Sequence, residues 1–219
     1  MEKTIRVTGR AKVMARPDTT RIWISLEGVF PDYSETLSES AEMKKELDEM
    51  VKGLGFEDKA LKTTFFNVET NYERYKDNNG NWRDKFAGYR YRHQMKLDFP
   101  IDNVMLGKVL MGLAKSPARP QFRIEYVIVD SESIRNEVLT KAVKDSRAKA
   151  EVLAMAGGVE LGELLDINYS WGTVEFVSNT RNTLTLMDCG CAMADEYMTE
   201  MEPDDIEVED DVTIMWALR

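Results

Sequence analysis

Tyr89-Arg90-Tyr91-Arg92-His93-Gln94-Met95-Lys96-Leu97-Asp98-Phe99 is the stretch that decides how this chain reads. Tyr89, Tyr91, His93, Met95, Leu97 and Phe99 fall on one side of it, and Arg90, Arg92, Gln94, Lys96 and Asp98 on the other. Strict alternation is the period of a β-strand with one face on a core and one in water. One-sided strands belong to antiparallel sheets, because strands of parallel sheets are covered on both faces and read as continuous apolar runs.

Working outward, Asp77-Asn78-Asn79-Gly80-Asn81 precedes it and predicts a turn. A strand is expected before that turn, over Leu61 to Tyr72, with Phe66, Val68 and Tyr72 on one face. Further back, Asp32 with Glu35 three residues on reads as a capping box. It opens a helix to Lys52 that carries Leu37, Ala41, Leu47, Met50 and Val51, with Gly53 and Gly55 as its stop. The N-terminal residues alternate twice, from Ile5 to Val13 and from Ile22 to Leu26, around Arg16-Pro17-Asp18; a hairpin is expected. On the C-terminal side, Asp102 caps a short helix through Leu113, and Phe122 to Ile128 forms a strand. Ser131 caps a long helix that turns Ile134, Val138, Ala142 and Leu153 inward and ends at Gly157-Gly158. Strands follow over Leu161 to Trp171 and Val212 to Leu218, with a flap or loop over residues 172–203 between them. The expected fold class is α+β: two layers, mostly antiparallel sheets, with two long helices and one short helix packed on one face.

A chain of 219 residues buries enough surface to need no disulfide or metal for its core. No apolar run reaches the roughly 18 residues of a membrane span. The opening Met1-Glu2-Lys3-Thr4-Ile5 has no apolar leader, so a cytoplasmic protein is expected. The net charge of −10 is uneven. Eleven acids and no base lie between Arg181 and Arg219, leaving 28 acids against 29 bases elsewhere. That segment would repel phosphate, which argues against nucleic acid as its partner.

Several stretches, taken in order, resemble the SIMPL-domain family. Val7-Thr8-Gly9 with Arg16-Pro17-Asp18 is similar to the family's opening. Gly53-Leu54-Gly55-Phe56 with Leu61-Lys62-Thr63 resembles its helix-to-strand step, and Tyr72 and Tyr75 with Gly88-Tyr89 its tyrosine strand and return. Ala142-Val143-Lys144-Asp145-Ser146-Arg147-Ala148-Lys149-Ala150 resembles its long helix, with Ser146 in place of the usual alanine. Pro203 with Ile206-Glu207-Val208 and the last strand resemble its close. The resemblance implies one domain over residues 1–219, and the strand, long helix and further strands in each half of the chain suggest two sub-lobes within it, about 1–100 and 101–219. It implies a protein of unknown process, with no established catalytic residues, no cofactor and no common reaction. Animal and bacterial members are linked to kinase signalling, stress and the cell envelope, and self-assembly into a homo-oligomer or contact with a protein partner is the function expected.

Three groups of residues could carry chemistry instead. His93 is the one histidine, and its place on the apolar face predicts a packed, hydrogen-bonded side chain rather than a ligand. Arg90, Arg92 and Lys96 make a basic strand face that could meet an acidic segment of the same or another chain. The run to Lys96 also mixes the bases Arg74, Lys76, Arg83 and Lys85 with Tyr72, Tyr75, Trp82, Phe86, Tyr89 and Tyr91, but Tyr89 and Tyr91 face away from Arg90 and Arg92, so stacking with phosphate contact, as in single-stranded nucleic-acid binding, is disfavoured. Cys189-Gly190-Cys191 lies among Met187, Met193, Met198 and Met201, donors that suit a soft ion such as Cu(I). A soft-metal or redox-responsive protein is therefore the alternative function, and an enzyme with an unrecognised site the third. No Walker loop and no G-x-S-x-G elbow occurs.

Overall fold

The alternation around His93 becomes a long strand whose buried side chains are Tyr91, His93, Met95, Leu97 and Phe99. The computed structural model describes residues 3–169, 176–178, 180 and 201–219. In chain order they form β1 (Thr4–Ala15), β2 (Thr19–Phe30), α1 (Tyr33–Gly53), β3 (Lys62–Lys76), β4 (Trp82–Pro100), α2 (Asn103–Lys115), β5 (Gln121–Val127), α3 (Glu132–Ala156), β6 (Leu161–Asn168) and β7 (Ile206–Leu218). This is an α+β fold with three helices on antiparallel sheets. Two compact units result: one over Met1–Asp18, Val127–Asn179 and Pro203–Arg219, the other over Thr19–Tyr126 and Thr180–Glu202.

The second unit follows a β-α-β-β-α-β path, and its sheet runs β3-β4-β2-β5. That is the split βαβ arrangement of ferredoxin-like folds. β2 and β4 pair antiparallel from Thr19↔Pro100 to Phe30↔Tyr89. Ile22, Ile24 and Leu26 of β2 join Tyr91, Met95 and Leu97 of β4 beneath Leu47 and Val51 of α1 and Leu106, Val109 and Leu113 of α2. Asp102 caps α2 as its sequence predicts, accepting from the backbone N–H of Val104 and Met105. The capping box expected at α1 does not form. The Asp32 side chain makes no cap bond, and Thr36 donates its hydroxyl to the Asp32 carbonyl instead. The buried face of α1 also differs from the apolar pattern: Thr36 and Ser40 lie inside, whereas Leu37 is 38% exposed.

The first unit has the sheet β1-β7-β6 with α3 packed on β1 and β7. β1 pairs with β7 along its whole length, from Thr4↔Ala217 to Ala15↔Ile206. The hairpin expected between β1 and β2 is therefore absent. β2 lies between β4 and β5 in its own sheet, so neither of its edges is free for β1. The inward face of α3 is Val138, Ala142, Ser146, Ala150 and Ala154, a stripe of mostly small residues spaced by four. Leu153, expected inside, is 53% exposed, because that stripe already brings the helix close to the sheet. Ser131 precedes α3 but its backbone is already helical (φ −91°, ψ −1°), so its side chain does not cap; the Asp130 carboxylate accepts from the Glu132 N–H. Most of the flap over residues 172–203, with Cys189 and Cys191, lies outside the described residues. Within it, Val177 bridges to Val127, and Phe176 packs with Ile128 and Val138.

Candidate functional site

The residues singled out by sequence fall in different surroundings. His93 is buried at 6% exposure, its Nε2 2.8 Å from Thr63 Oγ1 and its ring edge-on to Phe66 at 5.0 Å. Its Nδ1 is buried with no hydrogen-bond partner. Burial pushes its pKa below the usual histidine value, Lys44 adds to that, and Asp48 opposes it. The neutral imidazole is thus a packed element of the sheet.

The basic face of β4 is laced with carboxylates. Arg92 Nε donates to Glu27 Oε1 at 2.7 Å, and Lys96 lies 3.6 Å from Asp98. Arg21 grips Asp98 with two hydrogen bonds of 2.8 and 2.9 Å. Arg90 stands opposite Val29 on β2 and Glu69 on β3. Nearby, Trp23 donates its Nε1–H to Glu125 and carries the guanidinium groups of Arg21 and Arg123 at 5.8 and 5.3 Å from its ring. Cys189 and Cys191 lie outside the described residues. Among the described residues, no three His, Cys, Asp or Glu side chains converge as a metal-binding group.

The strand, turn and returning strand around Asp77–Asn81 form as the sequence predicts, but sequence reasoning missed that their outer part stands alone as a two-stranded ribbon. Only residues 89–100 of β4 pair with β2; its earlier residues pair with β3 alone, from Asn71↔Gly88 to Lys76↔Trp82. Asp77 closes the ribbon by accepting from the backbone N–H of Asn79 and Asn81, which together with Arg83 holds its carboxyl below the usual range. Tyr72, Tyr75, Trp82 and Phe86 project from it at 43–59% exposure. The rings Tyr72, Phe86, Tyr89 and Tyr33 meet edge to face in a row, with centroids 5.8, 5.3 and 5.5 Å apart. Arg74 and Lys76 flank the Trp82 ring at 5.5 and 5.0 Å. The signal was present as aromatic residues on both sides of the Asp77–Asn81 turn. Their exposure depended on β2 being shorter than β4.

Three of the remaining motif residues, Gly9, Asp145 and Ser146, meet where α3 lies on β1. Gly9 faces Ala142 and Ser146 so closely that a Cβ would sit 2.0 Å from the Ala142 carbonyl oxygen. Ser146 donates its hydroxyl to the Val7 carbonyl at 3.1 Å. Asp145 accepts from the Arg10 N–H at 2.8 Å and from Lys149 Nζ at 2.6 Å. Asp18 accepts from the Val129 N–H, and its own N–H bonds the Val127 carbonyl. Gly88, at φ 115°, would bring a Cβ within 2.3 Å of the Phe30 oxygen. Each of these residues holds one element against another.

A family model described as "Protein of unknown function (DUF541)", SIMPL, matches residues 5–216. The chain belongs to the SIMPL family. Relatives include the 26 kDa periplasmic immunogenic protein of Brucella melitensis biotype 1, 29% identical over 166 residues, and its Brucella abortus counterpart, 28% identical over the same length. Each match covers 75% of this chain and 65% of the relative, so the chain spans just under two thirds of those proteins. Among solved structures, the regulatory subunit of aspartate kinase from Thermus flavus matches at 13% identity over 97% of this chain and 89% of that one, with a TM-score of 0.18. Among the described residues, no helix of this SIMPL protein is long and apolar enough to cross a membrane.

Proposed function

We propose that this SIMPL protein is a non-catalytic interaction module that self-associates through the β3–β4 ribbon. The observation that carries the reading is the row of exposed rings on a two-stranded ribbon. Such a ribbon is marginal in water by itself, and contiguous exposed aromatics mark contact surfaces. Covering it with another chain would remove apolar area from water at about 25 cal/mol per Å².

A second copy is the occupant we favour. From Glu69 to Lys85 the ribbon carries four bases and four acids, cross-strand neighbours such as Glu73↔Lys85 and Arg74↔Asp84 among them. A surface of mixed sign complements itself, whereas a strongly charged partner would meet repulsion at half of those positions. The non-catalytic reading is supported by the motif residues, which serve packing between elements. We also place the protein in an exported compartment, in place of the cytoplasmic one its opening residues suggested, because the relatives are named as periplasmic.

Size exclusion with light scattering tests the assembly. The protein should run as a defined oligomer, and Tyr72→Ser with Phe86→Ser should run smaller with an unchanged far-UV spectrum. A monomer for the unaltered chain at tens of micromolar, or an oligomer indifferent to both changes, defeats the reading.

A further inference from the structure

We infer that a cavity beside the α1–β3 loop binds a small oxyanion carried on an apolar body, an aryl or acyl phosphate or carboxylate. The cavity holds about 530 Å³ and is lined by the loop from Gly55 to Ala60, by Lys62 at the start of β3, and by Lys96, Asp98, Phe99 and Pro100 of β4. Phe56, Phe99 and Pro100 supply its apolar wall.

Its charges are unevenly committed. Of the lining carboxylates, Asp58 is paired with Lys52 at 2.8 Å and Asp98 is gripped by Arg21. The lining itself carries three ammonium groups (Lys59, Lys62, Lys96) and three carboxylates (Glu57, Asp58, Asp98), and two of those carboxylates are neutralised by cations outside it, Lys52 and Arg21. Among the described residues, Lys59 and Lys62 form no ion pair. With Asp58 and Asp98 committed, Lys59 and Lys62 face only Glu57 as an uncommitted carboxylate, so the opening favours an anion even on a chain of net charge −10.

Two locally unfavourable choices meet at this cavity. Lys62 and Lys96 are direct cross-strand partners, and like charges directly opposite destabilise a sheet. The Ala60 N–H bonds the Glu57 carbonyl, closing a turn whose third residue is Lys59 at φ 67°. A turn with positive φ at that position favours Gly or Asn, and lysine there is strained. Arg119 of the same unit also has positive φ (45°), away from the cavity; at the α1–β3 loop the two choices coincide, and both bring an ammonium group to the same opening. Exceptions to local rules of this kind concentrate at functional sites. An oxyanion between Lys62 and Lys96 would turn their repulsion into attraction, and an aromatic body would lie against Phe56 and Pro100.

The full chain should be titrated with phenyl phosphate, benzoate and inorganic phosphate, following melting temperature and amide shifts. Saturable stabilisation by phenyl phosphate or benzoate is expected, with shifts confined to residues 55–62 and 96–100. The better of the two identifies the oxyanion. Lys62→Met should melt at or above the unaltered protein yet lose affinity by roughly ten- to a hundredfold, as removal of a charged hydrogen bond predicts. Lys59→Gly should also melt higher, and Lys115→Met on α2 should leave binding unchanged. No saturable response to any of the probes, or equal affinity in Lys62→Met, would overturn the site.

Discussion

The carboxylate of Asp145 on α3 accepts the backbone N–H of Arg10 on β1 at 2.8 Å, one residue before Ser146 reaches the Val7 carbonyl. Helix and strand are thus tied by two side chains that flank the contact at Gly9. Truncating Asp145→Ala should destabilise the protein by about 1 kcal/mol, the net worth of a hydrogen bond. Asp145→Asn, which keeps an acceptor for Arg10, should lose only a part of that. Urea unfolding of the two variants decides between a backbone tie and a charge effect of Lys149.

Close approach at Gly9 makes a sharper demand. Gly9→Ala would place its Cβ within 2.0 Å of the Ala142 oxygen and 2.5 Å of the Ser146 nitrogen, both backbone atoms. Neither can yield without moving α3, so a loss of about 3 kcal/mol is expected, at the upper end for overpacking. Gly112→Ala first meets Met50, a flexible thioether, and gains helix propensity. It should change stability far less, and denaturant midpoints of the pair read the difference.

Mild acid should weaken the fold through His93. Its pKa in the folded chain lies below the unfolded value of 6.5, chiefly by burial. Above 6.5 both states are neutral; as pH falls below it, the unfolded chain takes up a proton that the folded chain resists. Stability should therefore drop between pH 6.5 and the lower folded pKa. His93→Phe should flatten that slope, whereas Asp98 and Asp145, held low by Arg21, Lys96 and Lys149, act only near and below pH 3.8. A slope that persists in His93→Phe would refute the assignment.

Alkaline titration should find two late tyrosines. Burial and the hydrogen bond to Asp210 push Tyr169 up to about 12, and burial raises Tyr91, whose hydroxyl contacts the Met43 sulfur. Because the folded state holds these protons longer, stability present below pH 10 is lost as pH climbs toward the folded values. Phenolate absorbance of Tyr169→Phe and Tyr91→Phe should each show one late group fewer.

The alternation of β1, β2, β4, β5 and β7 and the Asp102 cap were legible in the sequence, because inward and outward faces follow from local periodicity, whereas Phe66 and Tyr72 of β3, expected on one buried face, are exposed. The His93 face and the α+β class came from the same signal. The family, too, could be read from the order of its motifs. What those motifs do could not: that Gly9, Asp145 and Ser146 meet is a contact between residues some 136 positions apart. Strand partners were likewise decided only by the fold. Alternation marks which face is buried but not which neighbour shares the hydrogen bonds, so β1 pairs with β7 and not β2. The buried stripes of α1 and α3 use Thr36, Ser40 and Ser146, because close helix–sheet packing there favours small side chains over the more apolar Leu37 and Leu153. The aromatic ribbon and the lysine-lined cavity belong to the same class. Their residues stand in plain view in the chain, but exposure and juxtaposition exist only once β4 outruns β2 and Lys62 comes to rest opposite Lys96.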